Sequence, residues 1–124
     1  MVPLKVSGAW HSPLMADAAP DFAAFLATLD FRPPQVPVYL NATAAPESDP
    51  ARLREAMARQ LTSPVRWAEL ILTLKDAGVD AWVEVGPKNV LKGLLRKILP
   101  QDPPTRFFNV ENPAGIAPLL ENLK

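Results

Sequence analysis

The chain of 124 residues has no cysteine, which excludes disulfides, zinc-thiolate sites and a cysteine nucleophile. It has a single histidine, His11, so a multi-histidine metal centre is excluded as well. Neither sign of charge is in excess: 13 basic residues balance 13 acidic ones. A bulk electrostatic grip on nucleic acid or on an anionic membrane surface is therefore not expected. No apolar run approaches the ~18 residues of a membrane-spanning helix, and no signal-peptide pattern is visible. The composition predicts a soluble, cytoplasmic chain that binds neither nucleic acid nor membrane and carries no cofactor. What is abundant is proline, 15 residues where average usage of ~5% gives about six. The prolines are spaced rather than clustered, so they read as punctuation between elements.

Between them the pattern alternates. Leu4 and Val6 alternate with Lys5 and Ser7, an extended lead. Leu14, Met15, Ala18, Ala19, Phe22, Phe25, Leu26 and Leu29 fall on one helical face. Ser12-Pro13 makes a cap and first turn, and Pro20 must kink or split that helix. Val36 to Leu40 is a short strand whose consecutive apolar residues suggest burial on both faces, and Asn41 to Ser48 is a loop. A helix opens at Asp49-Pro50, restarts at Ser63-Pro64 and stops at Gly78. Val79 to Val85 is a strand ended by Gly86-Pro87. A helix at about 88–99 follows, then a strand from Arg106 to Val110 and a last helix from Pro113 to Leu123. Three strands alternating with helices predict an α/β fold, in one domain over residues 1–124, with a small, mainly parallel sheet.

The most informative segment is Gly8-Ala9-Trp10-His11-Ser12-Pro13-Leu14-Met15. It puts the only histidine at a strand-to-helix junction, where a general base or acid can work near neutral pH. A surface or capping role is the plainer reading. Ser12 beside it is no triad partner, since neighbours in sequence rarely face each other. Lys88, Lys92, Arg96 and Lys97 fall on one predicted helix, by default a solvated face.

Four ordered segments carry a family resemblance. Val6-Ser7-Gly8-Ala9-Trp10-His11-Ser12-Pro13-Leu14-Met15 resembles the histidine motif of malonyl-CoA:acyl-carrier-protein transacylases and of the acyltransferase domains of polyketide and fatty-acid synthases. Val36-Pro37-Val38-Tyr39-Leu40-Asn41-Ala42-Thr43 is similar to the family's strand and Asn-x-Thr turn. Arg59-Gln60-Leu61-Thr62-Ser63-Pro64-Val65-Arg66-Trp67 and Glu84-Val85-Gly86-Pro87, followed by Val90-Leu91 and Gly93-Leu94, match further hallmarks. Together they span nearly the whole chain.

The resemblance implies the C-terminal part of the catalytic, hydrolase-like subdomain, a partial three-layer α/β sandwich. The family's nucleophilic serine lies upstream in a Gly-His-Ser-Leu-Gly turn, and no Gly-x-Ser-x-Gly occurs in this sequence. The malonyl-binding arginine, the oxyanion glutamine and the ferredoxin-like subdomain also lie outside the matched part. The implied chemistry is transfer of malonyl from CoA to the phosphopantetheine thiol of acyl carrier protein. His11 is the implied general base and acid, and the Gln60 backbone carbonyl orients it. Trp10, bulky before the histidine, implies selection of malonyl over branched acyl groups. Lys92, Arg96 and Lys97 are implied contacts for an acidic carrier protein. Polyketide acyltransfer is one rival reading and a non-catalytic, carrier-binding remnant another. A partial sheet also carries the expectation of self-association through uncovered surface.

Overall fold

A computed structural model describes residues 7–99 and 105–123. Its contacts divide the chain into a unit up to Leu70 and a unit from Ile71 onward. The extended lead predicted at Val2 to Val6 lies outside the described residues.

The first unit begins with a 3-10 turn, Pro13–Ala18, followed by α1, Ala19–Ala27. Pro20 sits in the first turn of α1, where its missing N–H costs nothing and its fixed φ suits the helix. The predicted single helix is thus split just before the proline. Of its apolar face only Leu26 is buried, while Leu14 is 82% exposed. The strand β1, Val38–Leu40, then pairs antiparallel with β2, Ala45–Glu47, in register Leu40↔Ala45. This corrects two expectations: part of the presumed loop is a strand, and Val38–Leu40 does not join a parallel sheet. The connection of four residues is far shorter than the crossover of a dozen or more that a parallel pair requires. Nor is β1 buried on both faces, since only Leu40 is buried. Pro46 is tolerated because β2 pairs with β1 alone among the described residues.

The helix α2, Pro50–Gln60, is specified at its first turn. Asp49 Oδ1 accepts from the Arg52 N–H at 2.9 Å, with Pro50 at the first position. Glu47 Oε1 accepts from the Ser48 and Asp49 N–H groups at 2.8 and 2.9 Å, and its other oxygen pairs with Arg52 Nε at 2.9 Å. Leu53 and Ala56 of α2 pack with Leu40 and with Phe31 to form the local core.

The helix α3, Trp67–Asp76, crosses the boundary between the units. Arg66 ties its start to the hairpin, its N–H on the Asn41 carbonyl at 2.9 Å and its guanidinium paired with Glu69. Gly78 closes α3 at φ +88, with the Gly78 and Val79 N–H groups on the Lys75 and Leu74 carbonyls, as the sequence predicts.

In the second unit, β3, Ala81–Val85, and β4, Arg106–Val110, form a parallel pair flanking α4, Val90–Ile98. A further 3-10 turn, Pro113–Gly115, leads into α5, Ile116–Asn122. The α/β class with a small parallel sheet is thus the observed one. In β3, Trp82 and Glu84 are buried while Val83 and Val85 are exposed. The buried carboxylate has a definite task. Glu84 Oε1 and Oε2 accept from the Leu91 and Lys92 N–H groups at 3.0 and 3.1 Å, where the Asn89 side chain makes no cap. The start of α4 is therefore closed by a strand residue, and those two donors are not open to an anionic ligand.

Two predictions follow from these caps. Glu84→Ala leaves two partly buried donors without their acceptor and should destabilise the chain by about 1 kcal/mol or more in urea unfolding, with Glu84→Gln losing less because one acceptor remains. The two N–H groups on Glu47, with Arg52 beside them, hold its carboxyl below its ordinary value of 4.5. A carboxyl with a depressed folded-state value stabilises the fold above the unfolded value and loses that contribution as pH falls through the folded one. Acid titration of stability below about pH 4.5 should therefore be steeper for the wild-type chain than for Glu47→Gln.

Candidate active site

The site is built on the last turn of α2. A helix ends with carbonyls that have no intrahelical donor. Here Thr62 N–H, Thr62 Oγ1 and Ser63 Oγ converge on the Arg59 carbonyl, the last at 2.8 Å. The Gln60 carbonyl accepts from the His11 ring, with Nδ1 at 3.0 Å, across 49 residues of sequence. A carbonyl oxygen only accepts, so this contact places the ring proton on Nδ1 and leaves Nε2 as the basic nitrogen. Nε2 has no hydrogen-bond partner among the described residues, and His11 is exposed. The arrangement is an oriented imidazole whose free nitrogen can take a proton from a neighbouring hydroxyl or thiol. Among the described residues no carboxylate backs the ring; the carbonyl end of a helix does.

The backbone that presents His11 is unusual. His11 has φ +60, the left-handed region that side chains other than glycine's rarely occupy. Ser12 holds the turn around it. Its Oγ donates to the Ala9 carbonyl at 2.7 Å and accepts from the Leu14 N–H at 3.3 Å, while its own carbonyl accepts from the Met15 N–H at 3.0 Å. The sequence-based cap at Ser12 is thus present, and its link back to Ala9 is the part that pattern reading missed. Trp10 is 57% exposed, and its ring lies where a Cβ on Gly8 would approach within 3.2 Å. Glycine at position 8 is what lets the indole lie against the backbone.

The three basic residues of α4 belong to the second unit. Lys92 is half-buried with Nζ 5.2 Å from the centre of the Phe107 ring, a cation–π contact. Arg96 and Lys97 are exposed in the last turn of α4, while Lys88 precedes the helix at φ +71. The Lys88 turn is fixed from β4 and the residue after it: Asn109 Nδ2 donates to the Lys88 carbonyl at 2.8 Å, and Glu111 accepts from the Lys88 N–H at 3.2 Å. Asn109 and Glu111 carry no periodic signal in the sequence that marks this task.

If the Ser12 hydroxyl sets the histidine, its loss should show at the ring. Ser12→Ala should convert His11 from a dominant Nδ1–H tautomer to a mixture, read at alkaline pH by two-bond nitrogen–proton NMR correlations. Retention of one tautomer in Ser12→Ala would assign the orientation to Gln60 alone.

No family model matches the chain. Individual proteins do. It is 44% identical over 81% of its length to the polyketide biosynthesis protein ThaF of Burkholderia thailandensis, of which it covers 9%. It is 41% identical over 80% of its length to the malonyl CoA-acyl carrier protein transacylase of Synechocystis, of which it covers 34%. A malonyl transacylase solved in complex with a type II polyketide acyl carrier protein superposes with a TM-score of 0.83 and 36% identity, over 98% of this chain and 38% of that one. The chain spans about a third of the length of the transacylases it matches. In sequence and in fold it is a homologue of the C-terminal portion of the malonyl-CoA:acyl-carrier-protein transacylases.

Proposed function

We propose that the chain supplies the general base of an acyltransferase that moves malonyl from CoA to the phosphopantetheine thiol of acyl carrier protein. The observation that carries this reading is the His11–Gln60 contact at 3.0 Å, which leaves Nε2 as the proton acceptor. A serine hydroxyl is a weak nucleophile near neutral pH and needs such a base. In the proposed cycle Nε2 takes the hydroxyl proton as the serine oxygen attacks the thioester carbonyl. The tetrahedral adduct collapses, the C–S bond breaks, and the imidazolium returns its proton to the leaving CoA thiolate. A malonyl-serine ester remains. His11 then deprotonates the carrier thiol, which attacks the ester, and the serine oxygen recovers the proton. In this reading Trp10, bulky and one residue before the base, limits the size of the acyl α-carbon.

Arg96 and Lys97 at the exposed end of α4 suit an acidic carrier protein. Lys92 is less suited, because its ammonium is already engaged with Phe107. A polyketide pathway is the second reading, favoured by the 44% identity to ThaF; it alters the carrier and acyl group, not the proton transfers. No described helix is long and apolar enough to cross a membrane.

Two measurements test the proposal. The 124-residue chain alone should transfer no labelled malonyl to carrier protein above the protein-free control, since a base without a nucleophile forms no ester. Joined to the nucleophile-bearing remainder of the Synechocystis transacylase in one polypeptide, it should be active. There His11→Ala should lower kcat by about 10²–10⁴-fold or more, with malonyl-CoA affinity nearly unchanged. Gln60→Ala should do much less, because alanine keeps the carbonyl. A large loss at Gln60 with a small one at His11 would invert the assignment.

A further inference from the structure

The carbonyl that orients His11 is open because of what stands four residues later. In an α-helix the carbonyl of residue i accepts from the N–H of residue i+4. For Gln60 that residue is Pro64, which has no N–H. The chain does not avoid the contact by turning away at once. Leu61 still has helical angles, φ −58 and ψ −35, and the Ser63 N–H, one residue before the proline, reaches the Gln60 carbonyl at 3.4 Å. That bond is longer than the ~2.9–3.0 Å of a good N–H···O contact, whereas His11 Nδ1 lies at 3.0 Å. The preceding carbonyl shows the contrast. Arg59 accepts from the Ser63 and Thr62 hydroxyls at 2.8 and 3.2 Å and from the Thr62 N–H at 3.2 Å. Downstream the chain is fixed again, by the Arg66 N–H on the Asn41 carbonyl at 2.9 Å. Position 64 thus lies between two anchors, next in sequence to a donor that already reaches Gln60.

We infer that Pro64 is a positioning residue for the base: by withholding the N–H of the next helical step, it reserves the Gln60 carbonyl for the His11 ring. Its weight in catalysis rests on the function proposed above; its effect on the ring does not. Any other residue at position 64 offers an N–H in the register of α2. The helix would gain a hydrogen bond, and the Gln60 oxygen would share its lone pairs with one more donor. The exposed ring has no second anchor among the described residues, so a weakened contact at Nδ1 frees it to turn and to take either tautomer. A plain stop for α2 is a separate role. It needs only a residue that keeps Ser63 out of the helical region, and it leaves the ring indifferent to whether position 64 carries an N–H.

The test restores the missing N–H and then removes it again. In the 124-residue chain Pro64→Ala should convert His11 from a dominant Nδ1–H tautomer to a mixture, read at alkaline pH by two-bond nitrogen–proton NMR correlations. Lactic acid at position 64, an alanine with an ester oxygen in place of its N–H, should restore the single tautomer. Pro64→Val favours extended backbone yet carries an N–H. It should shift the tautomer in the same direction by less, and it remains informative if the alanine variant does not fold. In the chimera that joins this chain to the nucleophile-bearing remainder of the Synechocystis transacylase, Pro64→Ala should lower kcat by about 10–10²-fold with KM for malonyl-CoA unchanged. Added to His11→Ala, it should lower kcat no further, because it acts through the ring. A single Nδ1–H tautomer retained in the folded alanine or valine variant would overturn the inference. A mixture that the ester fails to reverse, or an equal kcat loss with and without His11, would overturn it too. An inactive chimera beside a tautomer shift that the ester reverses would refute the proposed chemistry and leave the positioning of the ring standing.

Discussion

Everything proposed for the site depends on how α2 ends. Its last carbonyls must find donors from outside the helix or remain unpaired. The segment Leu61-Thr62-Ser63 turns back and satisfies Arg59. The Gln60 carbonyl accepts from the Ser63 N–H at 3.4 Å and, at the shorter distance of 3.0 Å, from His11, which is how a helix terminus comes to orient an imidazole. Each side of the contact is held by its own scaffold. On one side the capped and ion-paired first turn of α2, with Leu53 and Ala56 against Leu40, fixes the helix. On the other, Ser12 fixes a left-handed backbone at His11. Neither scaffold includes a titrating partner for the ring, so the orientation rests on backbone geometry rather than on a second charge.

Much of this was legible in the sequence because punctuation marks it. Ser12-Pro13, Asp49-Pro50 and Gly78 each have a local stereochemical reason, and each lies where the structure uses it. The strand Arg106–Val110 and the helix over most of 88–99 were readable from periodicity. The pairing of His11 with Gln60 was not readable from pattern. It spans 49 residues and uses a backbone atom, which every residue type offers equally; only the family resemblance pointed to it.

The failures have the same origin. Val38-Tyr39-Leu40 looks like a buried strand because apolar residues adjoin, yet a hairpin of three-residue strands has no second layer over Val38. Ala45-Pro46-Glu47 does not look like a strand, since proline is scarce in sheets, but an edge needs only half of the ladder. Glu84 interrupts an otherwise apolar strand, and that interruption was the available signal that a helix start lay within reach of its carboxylate.

That last arrangement links two elements that pattern reading treats as separate. The backbone amides of Leu91 and Lys92 sit in the first turn of a helix, a region that normally frays and exchanges its protons with solvent readily. Their acceptor, however, is a carboxylate projecting from the middle of β3. These protons can therefore exchange only when the Glu84 carboxylate leaves them. Exchange at the Leu91 and Lys92 amides thus reports on a contact between strand and helix rather than on the helix alone.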